Sequence, residues 1–252
     1  MGRVATVTAR VLDVLAAFSA DRPRLTLSEL AVRAGLPLST AHRLVGELAA
    51  WGALERGDDG RYHVGLRLWE VGALAPRSLG LRETAMPFLE DLYEVTRQNV
   101  QLAVLDGTEV VYVERLSGRA SVHVFTRVGG RLPLHATGVG LVLLAHADPE
   151  LRERVLGAPL RRYTEKTVCD PGELRRMLAD VRTTGVAISD GQIELISLSV
   201  AAPVRAPNGE VVAALSVVVP ADGTNPHSFV PAVRAAARGI SRALTQSDHH
   251  LA

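Results

Sequence analysis

The chain has 252 residues and a formal net charge of +1, with 47% hydrophobic and 22% charged residues, a composition that suits one large globular domain or two smaller ones. Its single cysteine, Cys169, excludes an internal disulfide framework and a cysteine-based zinc cluster. The sequence contains neither an apolar run of about 18 residues nor an apolar signal core near its start, so we expect a cytoplasmic protein without a membrane segment.

The N-terminal part is predicted to form three helices. The first spans Val7 to Ser19 and places its apolar residues on one face. The second opens at Thr26, because a glutamate three residues later completes the spacing of a capping box. Gly35 closes this helix, since glycine readily adopts the left-handed conformation that often ends a helix. Pro37 suits the first turn of the third helix, which is predicted to end near Gly52.

A hairpin and a short helix follow. The stretch "ALERGDDGRYHVG" alternates around a Gly-Asp-Asp-Gly tip, which is typical of a short β-hairpin. "LRLWEVGALA" predicts the helix, and residues 76–80 are predicted to be a helical linker. We therefore expect a first domain over residues 1–75 and a second over residues 81–252.

The second part has the pattern of a mixed α+β domain. A helix is predicted from Leu81 to about Gln98, and Pro87 either kinks it or marks a junction of two segments. "VQLAVLDGTEVVYVERL" predicts a hairpin, "SVHVFTRV" a third strand and "TGVGLVLLAHA" a buried helix. "DPGELRRMLADVRTTG" predicts an amphipathic helix that ends at Gly185. The strands "LSVAAPV" and "EVVAALSVVV" flank a turn, and a last helix is predicted from about Pro226 to Leu244, before a frayed tail.

The second and third helices have the spacing of a helix-turn-helix. Ala31 is a small residue at the expected helix crossing and Gly35 lies at the turn. The exposed start of the third helix then offers side chains that bind phosphates or base edges, and the hairpin forms a wing. The candidate DNA-binding residues are Thr26, Leu38, Ser39, Thr40, His42, Arg43 and Arg61. The alternatives are a helical hairpin that binds nothing and a winged helix that binds a protein; the net charge does not decide, because DNA binding needs only a local basic face.

Two stretches of the first part, "LTLSELAVRAGLPLSTAHRLVGELAAWGALER" and "GRYHVGLRLWEVG", and three stretches of the second, "VGGRLPLHATGVG", "TTGVAISDGQ" and "VAAPVRAPNGEVVAALSVVVP", resemble a known family. The first two resemble the DNA-binding domain, and the other three the GAF-like effector domain, of the IclR family of bacterial transcriptional regulators. The resemblance extends along nearly the whole chain. The resemblance implies a winged helix-turn-helix domain joined to a GAF-like α/β domain. It implies a ligand-responsive regulator, in the first instance a repressor, that pairs its N-terminal domains as a homodimer or a dimer of dimers on a palindromic operator in double-stranded DNA.

The resemblance also implies where a small-molecule effector binds, in a cleft between the sheet and the helix after "LPLHATG". Gly138 and Val139 match positions whose backbone N–H groups hold a ligand carboxylate, which agrees with the preference of anions for a helix N-terminus. The remaining matches are the polar pocket positions Ser189, Ser199 and Ser216 and the apolar wall position Val124.

Several residues depart from the family pattern in this cleft. Leu141 replaces a common lysine, Gln192 a frequent acidic residue, Ile196 a glycine and Val218 a frequent second serine. Because these changes make the cleft less polar, they favour an aromatic or longer apolar carboxylic acid over a small keto acid.

No motif indicates a metal, a cofactor or an enzyme. His123 and His135 lack a neighbouring His, Cys or Asp at ligand spacing. The sequence contains no nucleophile elbow, no H-E-x-x-H, no P-loop and no dinucleotide fingerprint. A hydrolase that uses Ser199 and His135 is the remaining enzymatic alternative, and nothing in the sequence favours it.

Overall fold

The structure, a computed structural model, describes residues 6–19, 21–75, 79–118, 121–122, 124 and 126–248. The chain divides into two compact units, residues 1–76 and 77–252, which are considered separately. In the part of the chain that is described, no helix is both long and apolar enough to cross a membrane.

Among its described residues, the first unit has four helices and a two-stranded antiparallel hairpin. Its elements are α1 (Val7–Ala16), α2 (Leu27–Arg33), α3 (Leu38–Trp51), β1 (Leu54–Arg56), β2 (Tyr62–Val64) and α4 (Leu66–Ala73). Side chains from α1, α2, α3 and β1 form one small core that contains Val14, Leu30, Val45 and Leu54. The predicted helices and hairpin of this part are confirmed.

The ends of these helices follow from local residues. Thr26 and Glu29 form both hydrogen bonds of a capping box at the start of α2. Gly35, at the turn, has a φ of 65°, as its place after α2 predicts. Pro37 precedes α3 as its N-cap instead of lying in its first turn. The Leu36 N–H bonds back to Ala31 O at 2.9 Å, and Pro37 then has an extended backbone, with φ of −57° and ψ of 143°.

The second unit has five α-helices and six strands among its described residues. The helices are α5 (Leu79–Thr96), α6 (Gly138–His146), α7 (Pro149–Leu156), α8 (Pro171–Thr184) and α9 (Val230–Asp248). The strands are β3 (Asn99–Asp106), β4 (Glu109–Leu116), β5 (Arg131–Pro133), β6 (Ala187–Asp190), β7 (Ser197–Arg205) and β8 (Val211–Pro220).

The six strands form one antiparallel sheet in the order β5-β4-β3-β8-β7-β6. Helices cover both faces, so alternate residues of β7 and β8 enter two different cores. Leu215 and Val217 pack with α5 and α9, whereas Ala201 and Ala214 pack with α6 and α8. This arrangement confirms the predicted α+β fold.

The predicted third strand, "SVHVFTRV", is wrong for the described residues of that segment. They form no strand; β5, a few residues later, pairs with β4 instead. Side chains from β3 and β4 take the place of a backbone ladder: Asn99 Nδ2 donates to Val122 O at 2.7 Å, and Arg115 donates to Thr126 O. The segment is therefore held against the α6-side face of the sheet.

Other boundaries also differ from the prediction. Helix α5 begins at Leu79, inside the predicted linker, and continues through Pro87; residues 76–78 lie outside the described residues, as does His123. The last helix starts at Val230, because Pro226–Ser228 forms a separate 3₁₀ turn. It continues to Asp248, so residues 245–248 of the tail predicted to be frayed are helical; residues 249–252 lie outside the described residues. Helix α7 has no counterpart in the predicted elements.

Candidate functional site

The start of helix α3 presents one buried and one open face. Ala41, Leu44 and Val45 are completely buried and lock α3 onto the rest of the unit. The predicted DNA-binding positions lie on the other side, where Leu38, Ser39, His42 and Arg43 are exposed and Thr40 is half-buried. This is the arrangement that a helix needs in order to enter a major groove.

Arg43 is already paired within this helix. Its guanidinium lies 2.6 Å from Glu47 Oε1, one turn further along, and both side chains are more than half exposed. An exposed pair of this kind contributes only a few tenths of a kcal/mol to a helix. Arg43 is therefore available to exchange Glu47 for a phosphate or a guanine.

Thr26 and Arg61 converge on Glu29. The Thr26 backbone N–H and hydroxyl donate to Glu29 Oε2 at 2.7 and 3.0 Å, and Arg61 donates to the same oxygen at 2.9 Å. The hydrogen bonds from Thr26, and then the charge of Arg61, hold the pKa of Glu29 below its ordinary value. Arg61 thus ties the hairpin to the start of α2, and its contact with a DNA phosphate stays a prediction.

A partly open cavity lies beside the start of α6 in the second unit. Four of the six predicted effector residues line it: Val124, Gly138, Ser189 and Ser199. The segment that was mispredicted as a strand supplies one wall, and the loop after β6 supplies another.

The first turn of α6 offers free donors to this cavity. The Thr137 hydroxyl caps the helix by accepting from the Gly140 N–H at 3.1 Å and donating to Pro133 O. Among the described residues, no hydrogen bond involves the N–H groups of Gly138 or Val139. Ser199 Oγ lies directly against Gly138. The first turn of α6 therefore has two N–H groups without a described partner, next to the Ser199 hydroxyl, and a helix start of this kind favours an anion.

The polar groups at the other side of the cavity come from β3 and the 121–128 segment. Gln101 Nε2 donates to Thr126 Oγ1, and both residues line the cavity. Tyr112 is buried there, and this burial raises the pKa of its phenol above the ordinary value although a hydrogen bond with Thr137 opposes the shift. The Tyr112 ring is therefore a neutral wall at physiological pH.

Two of the predicted effector residues are placed differently. The Val139 side chain packs in the core between α6 and the sheet. Only its backbone N–H is therefore left as a possible contact for an effector. Ser216 is completely buried and is not part of the cavity wall. Its hydroxyl has no hydrogen-bond partner among the described residues, and its cross-strand neighbours are Gln101 and Ala201.

Among the described residues, His135 lies in neither a metal site nor a catalytic arrangement. His135 is buried, and its Nε2 lies 3.0 Å from Arg161 O, a contact that requires a proton on that nitrogen. No three His, Cys, Asp or Glu residues of the described part are clustered for a metal ion. The geometry thus gives His135 a structural role.

Comparison with known proteins identifies the family. Residues 7–58 match the IclR helix-turn-helix domain, and residues 74–242 match the C-terminal domain of the bacterial transcriptional regulator IclR. The chain belongs to the IclR family. Because it contains the family's helix-turn-helix domain, this IclR-family protein is a DNA-binding transcriptional regulator.

Curated relatives have the same function class. The regulator XynR of Escherichia coli is 32% identical over 210 residues, which cover 82% of this chain and 83% of XynR. The Escherichia coli repressor AllR is 31% identical over 230 residues, covering 89% of this chain and 84% of AllR.

Solved structures support the same assignment. An IclR homologue from Microbacterium hydrocarbonoxydans in complex with 4-hydroxybenzoate is 45% identical, with a TM-score of 0.91 over 95% of this chain and 99% of that one. The IclR protein of Thermotoga maritima is 26% identical, with a TM-score of 0.77 over 94% of this chain and 98% of its own.

Gln192 and Val218, which were expected in the cleft, line this IclR cavity, whereas Leu141 is buried in the core and Ile196 is exposed. The lining residues that were not predicted from the sequence are Gln101, Tyr112, Thr126, Leu132, Ala136, Thr137, Ile193, Glu194 and Ser197. One pattern could have indicated Gln101: it alternates with Val100 and Leu102 in an otherwise apolar strand, on the same face as Asn99. No local pattern distinguishes Thr126, because only the folded 121–128 segment places it there.

Proposed function

We propose that this IclR-family regulator controls transcription in response to an aromatic monocarboxylate of the 4-hydroxybenzoate type. The observation that carries the proposal is the cavity at the start of α6, which Gly138 and Ser199 both line and where the N–H groups of Gly138 and Val139 have no hydrogen-bond partner among the described residues. The likeness to a homologue solved with 4-hydroxybenzoate, at 45% identity, supports this class of ligand.

The charges around the cavity favour a single carboxylate. The start of a helix supplies about half a positive charge and free N–H donors. None of the described residues that line the cavity is a lysine or an arginine, whereas one of them, Glu194, is acidic. A second carboxylate would therefore lack a cation and would lie in the same cavity as Glu194.

The opposite side of the cavity suits a phenolic hydroxyl. Gln101 on β3 lies two strands from Ser199 on β7, roughly 10 Å at the usual strand spacing. Thr126 Oγ1 accepts from Gln101 Nε2, so the threonine O–H still has a proton to donate and the Gln101 carbonyl is an acceptor. A hydroxyl that both donates and accepts matches this pair, with the ring against Tyr112, Leu132 and Val218.

The regulator is proposed to act as a cytoplasmic repressor that binds and does not catalyse. Its operator is expected to be palindromic, read by a homodimer or a dimer of dimers. Helix α4 supports dimer formation through the first unit, because Trp69 is 65% and Leu74 79% exposed. Apolar side chains of this size are commonly covered by a partner surface.

Calorimetry with the full chain tests the ligand. We expect 4-hydroxybenzoate to bind more tightly than benzoate, and benzoate more tightly than the dicarboxylate terephthalate. Ser199→Val should weaken 4-hydroxybenzoate binding by about 1 kcal/mol or more, whereas Ser117→Val, at an exposed serine of the same unit, should not. Gln101→Leu should remove the preference for 4-hydroxybenzoate over benzoate. Tighter terephthalate binding, or no effect at Ser199, would contradict the proposed site.

A gel shift with the DNA upstream of the protein's own gene tests the regulation. Binding should weaken steeply as salt rises, because counterion release accompanies phosphate contacts. Addition of 4-hydroxybenzoate should change the apparent affinity, and Ser199→Val should shift that response to higher ligand concentration. If the affinity for DNA is the same with and without 4-hydroxybenzoate, this compound is not the effector.

A further inference from the structure

We propose that an arginine-lined groove on the second unit binds the phosphate backbone of DNA that flanks the operator. The groove lies between α9, the end of β7 and the end of α8. It does not share a lining residue with the effector cavity. Four arginines line it: Arg205, Arg234, Arg238 and Arg242.

The charge of this groove is not compensated. None of its lining residues is acidic, and none of its four arginines forms an ion pair with a described residue. Some exposed arginines elsewhere in the same unit are paired, as Arg175 is with Glu153 at 2.6 Å, but the groove brings four arginines together without a carboxylate among its described lining residues. An isolated cluster of guanidinium groups favours an anion with several charges over a single carboxylate.

Three of these arginines form a stripe along α9. Arg234, Arg238 and Arg242 are spaced by four residues, so they lie on one helix face about 6 Å apart along the axis. Like charges at this spacing destabilise a helix by a few tenths of a kcal/mol per pair. A linear polyanion relieves this repulsion, and successive phosphates of one DNA strand have a comparable separation.

Part of the groove is held in position by the protein. Arg234 donates to Thr184 O at 2.8 Å, and Arg205 donates to Gly209 O at 2.9 Å. Arg238 and Arg242 are exposed and form no hydrogen bond with a described residue. The first pair is thus oriented by the fold, and the second pair is free to contact phosphate oxygens.

His146, beside the groove, is affected by the positive charge of the arginines. Its Nε2 lies 3.1 Å from an Arg205 nitrogen. Burial lowers the pKa of His146, and the charges of Arg205 and Arg182 lower it further. This IclR-family chain binds DNA through its first unit, so a long polyanion is present whenever the protein is on its operator.

The test is DNA binding by the full chain measured by fluorescence anisotropy across a salt titration. Two duplexes are compared, one limited to the operator and one extended by two helical turns on each side. The double variant Arg238→Gln/Arg242→Gln should bind the extended duplex about five- to tenfold more weakly at low salt. The slope of log affinity against log salt should fall by about two, because each lost phosphate contact removes about 0.9. Affinity for the short duplex should be unchanged.

The matched control is Arg154→Gln/Arg176→Gln, which removes two exposed arginines of the same unit outside the groove. Thermal melts verify that both double variants are folded. Equal loss on both duplexes, or a control as weak as the groove variant, would overturn the proposal. A further outcome would also overturn it: the double variant Arg238→Gln/Arg242→Gln loses affinity for inorganic pyrophosphate or for an acidic protein but keeps its affinity for the extended duplex.

Discussion

Ser199 Oγ and Gly138 are in direct contact at the first turn of α6. A β-carbon built on Gly138 would lie 2.5 Å from that oxygen and 3.1 Å from Ser199 Cβ. Because glycine has no β-carbon, the start of α6 can approach β7 closely. In the proposed site, this approach lets the helix N–H groups and the Ser199 hydroxyl bind the same carboxylate.

Gly138→Ala should displace Ser199 from the start of the helix. Rotation of the hydroxyl relieves the closer clash, but the contact with Ser199 Cβ at 3.1 Å stays tight, so Ser199 must shift by a few tenths of an ångström. We expect 4-hydroxybenzoate affinity to fall at least tenfold and the second unit to melt at a lower temperature. Gly138→Ala/Ser199→Gly should recover the melting temperature without recovering affinity. Full ligand binding by the single variant would show that the helix start is not the carboxylate site.

Glu47 is expected to compete with DNA for Arg43. Glu47→Gln removes the carboxylate 2.6 Å from the guanidinium, together with a negative charge that repels phosphates, so operator affinity should rise. Arg43→Ala should cost about 1–3 kcal/mol if the arginine contacts a base, with relaxed sequence preference. If it contacts a phosphate, affinity should fall for all sequences and the salt slope should decrease. Anisotropy with operator and scrambled duplexes separates these outcomes.

Gly35→Val should disrupt the turn between α2 and α3. No atom lies within 4 Å of a β-carbon built there, so the penalty arises from the left-handed backbone and amounts to about 1–2 kcal/mol. We expect weakened DNA binding, with the melting of the second unit unchanged. Gly46→Ala is the matched control, because it also adds a β-carbon in open space but at a helical position. It should stabilise the first unit. Normal DNA binding by Gly35→Val would contradict the proposed helix pair.

The stability of the second unit should depend on pH through His146. Burial and nearby arginines lower its pKa in the folded state below the ordinary value of 6.5, so the unfolded chain binds the proton more readily. The folded state is then favoured above pH 6.5, and this contribution is lost as pH falls from there towards the folded-state pKa. His146→Gln should flatten that part of the profile in urea unfolding, and the exposed His227→Gln should not. A profile unchanged by His146→Gln would exclude this linkage.

The elements that the sequence determined are those whose causes lie close together in the chain. Thr26 and Glu29 are three residues apart, so their capping box could be predicted before any tertiary contact was known. The same holds for Gly35 and Gly185, whose left-handed conformations end helices with clear apolar periodicity. The motifs around "GLPLSTAHRL" and "LPLHATGVG" indicated the family for the same reason, since each is contiguous.

The tertiary structure decided which distant residues share a surface. The 121–128 segment has the alternation of a strand, but side chains of Asn99 and Arg115 bind its carbonyl groups and hold it against the sheet as a cavity wall. From the sequence, Arg61 was expected at the hairpin wing with its side chain directed to DNA. In the fold it binds Glu29, 32 positions away in the chain. The effector cavity and the arginine groove likewise combine residues from separate strands and helices. Such contacts depend on sheet order and on burial, which no local pattern contains.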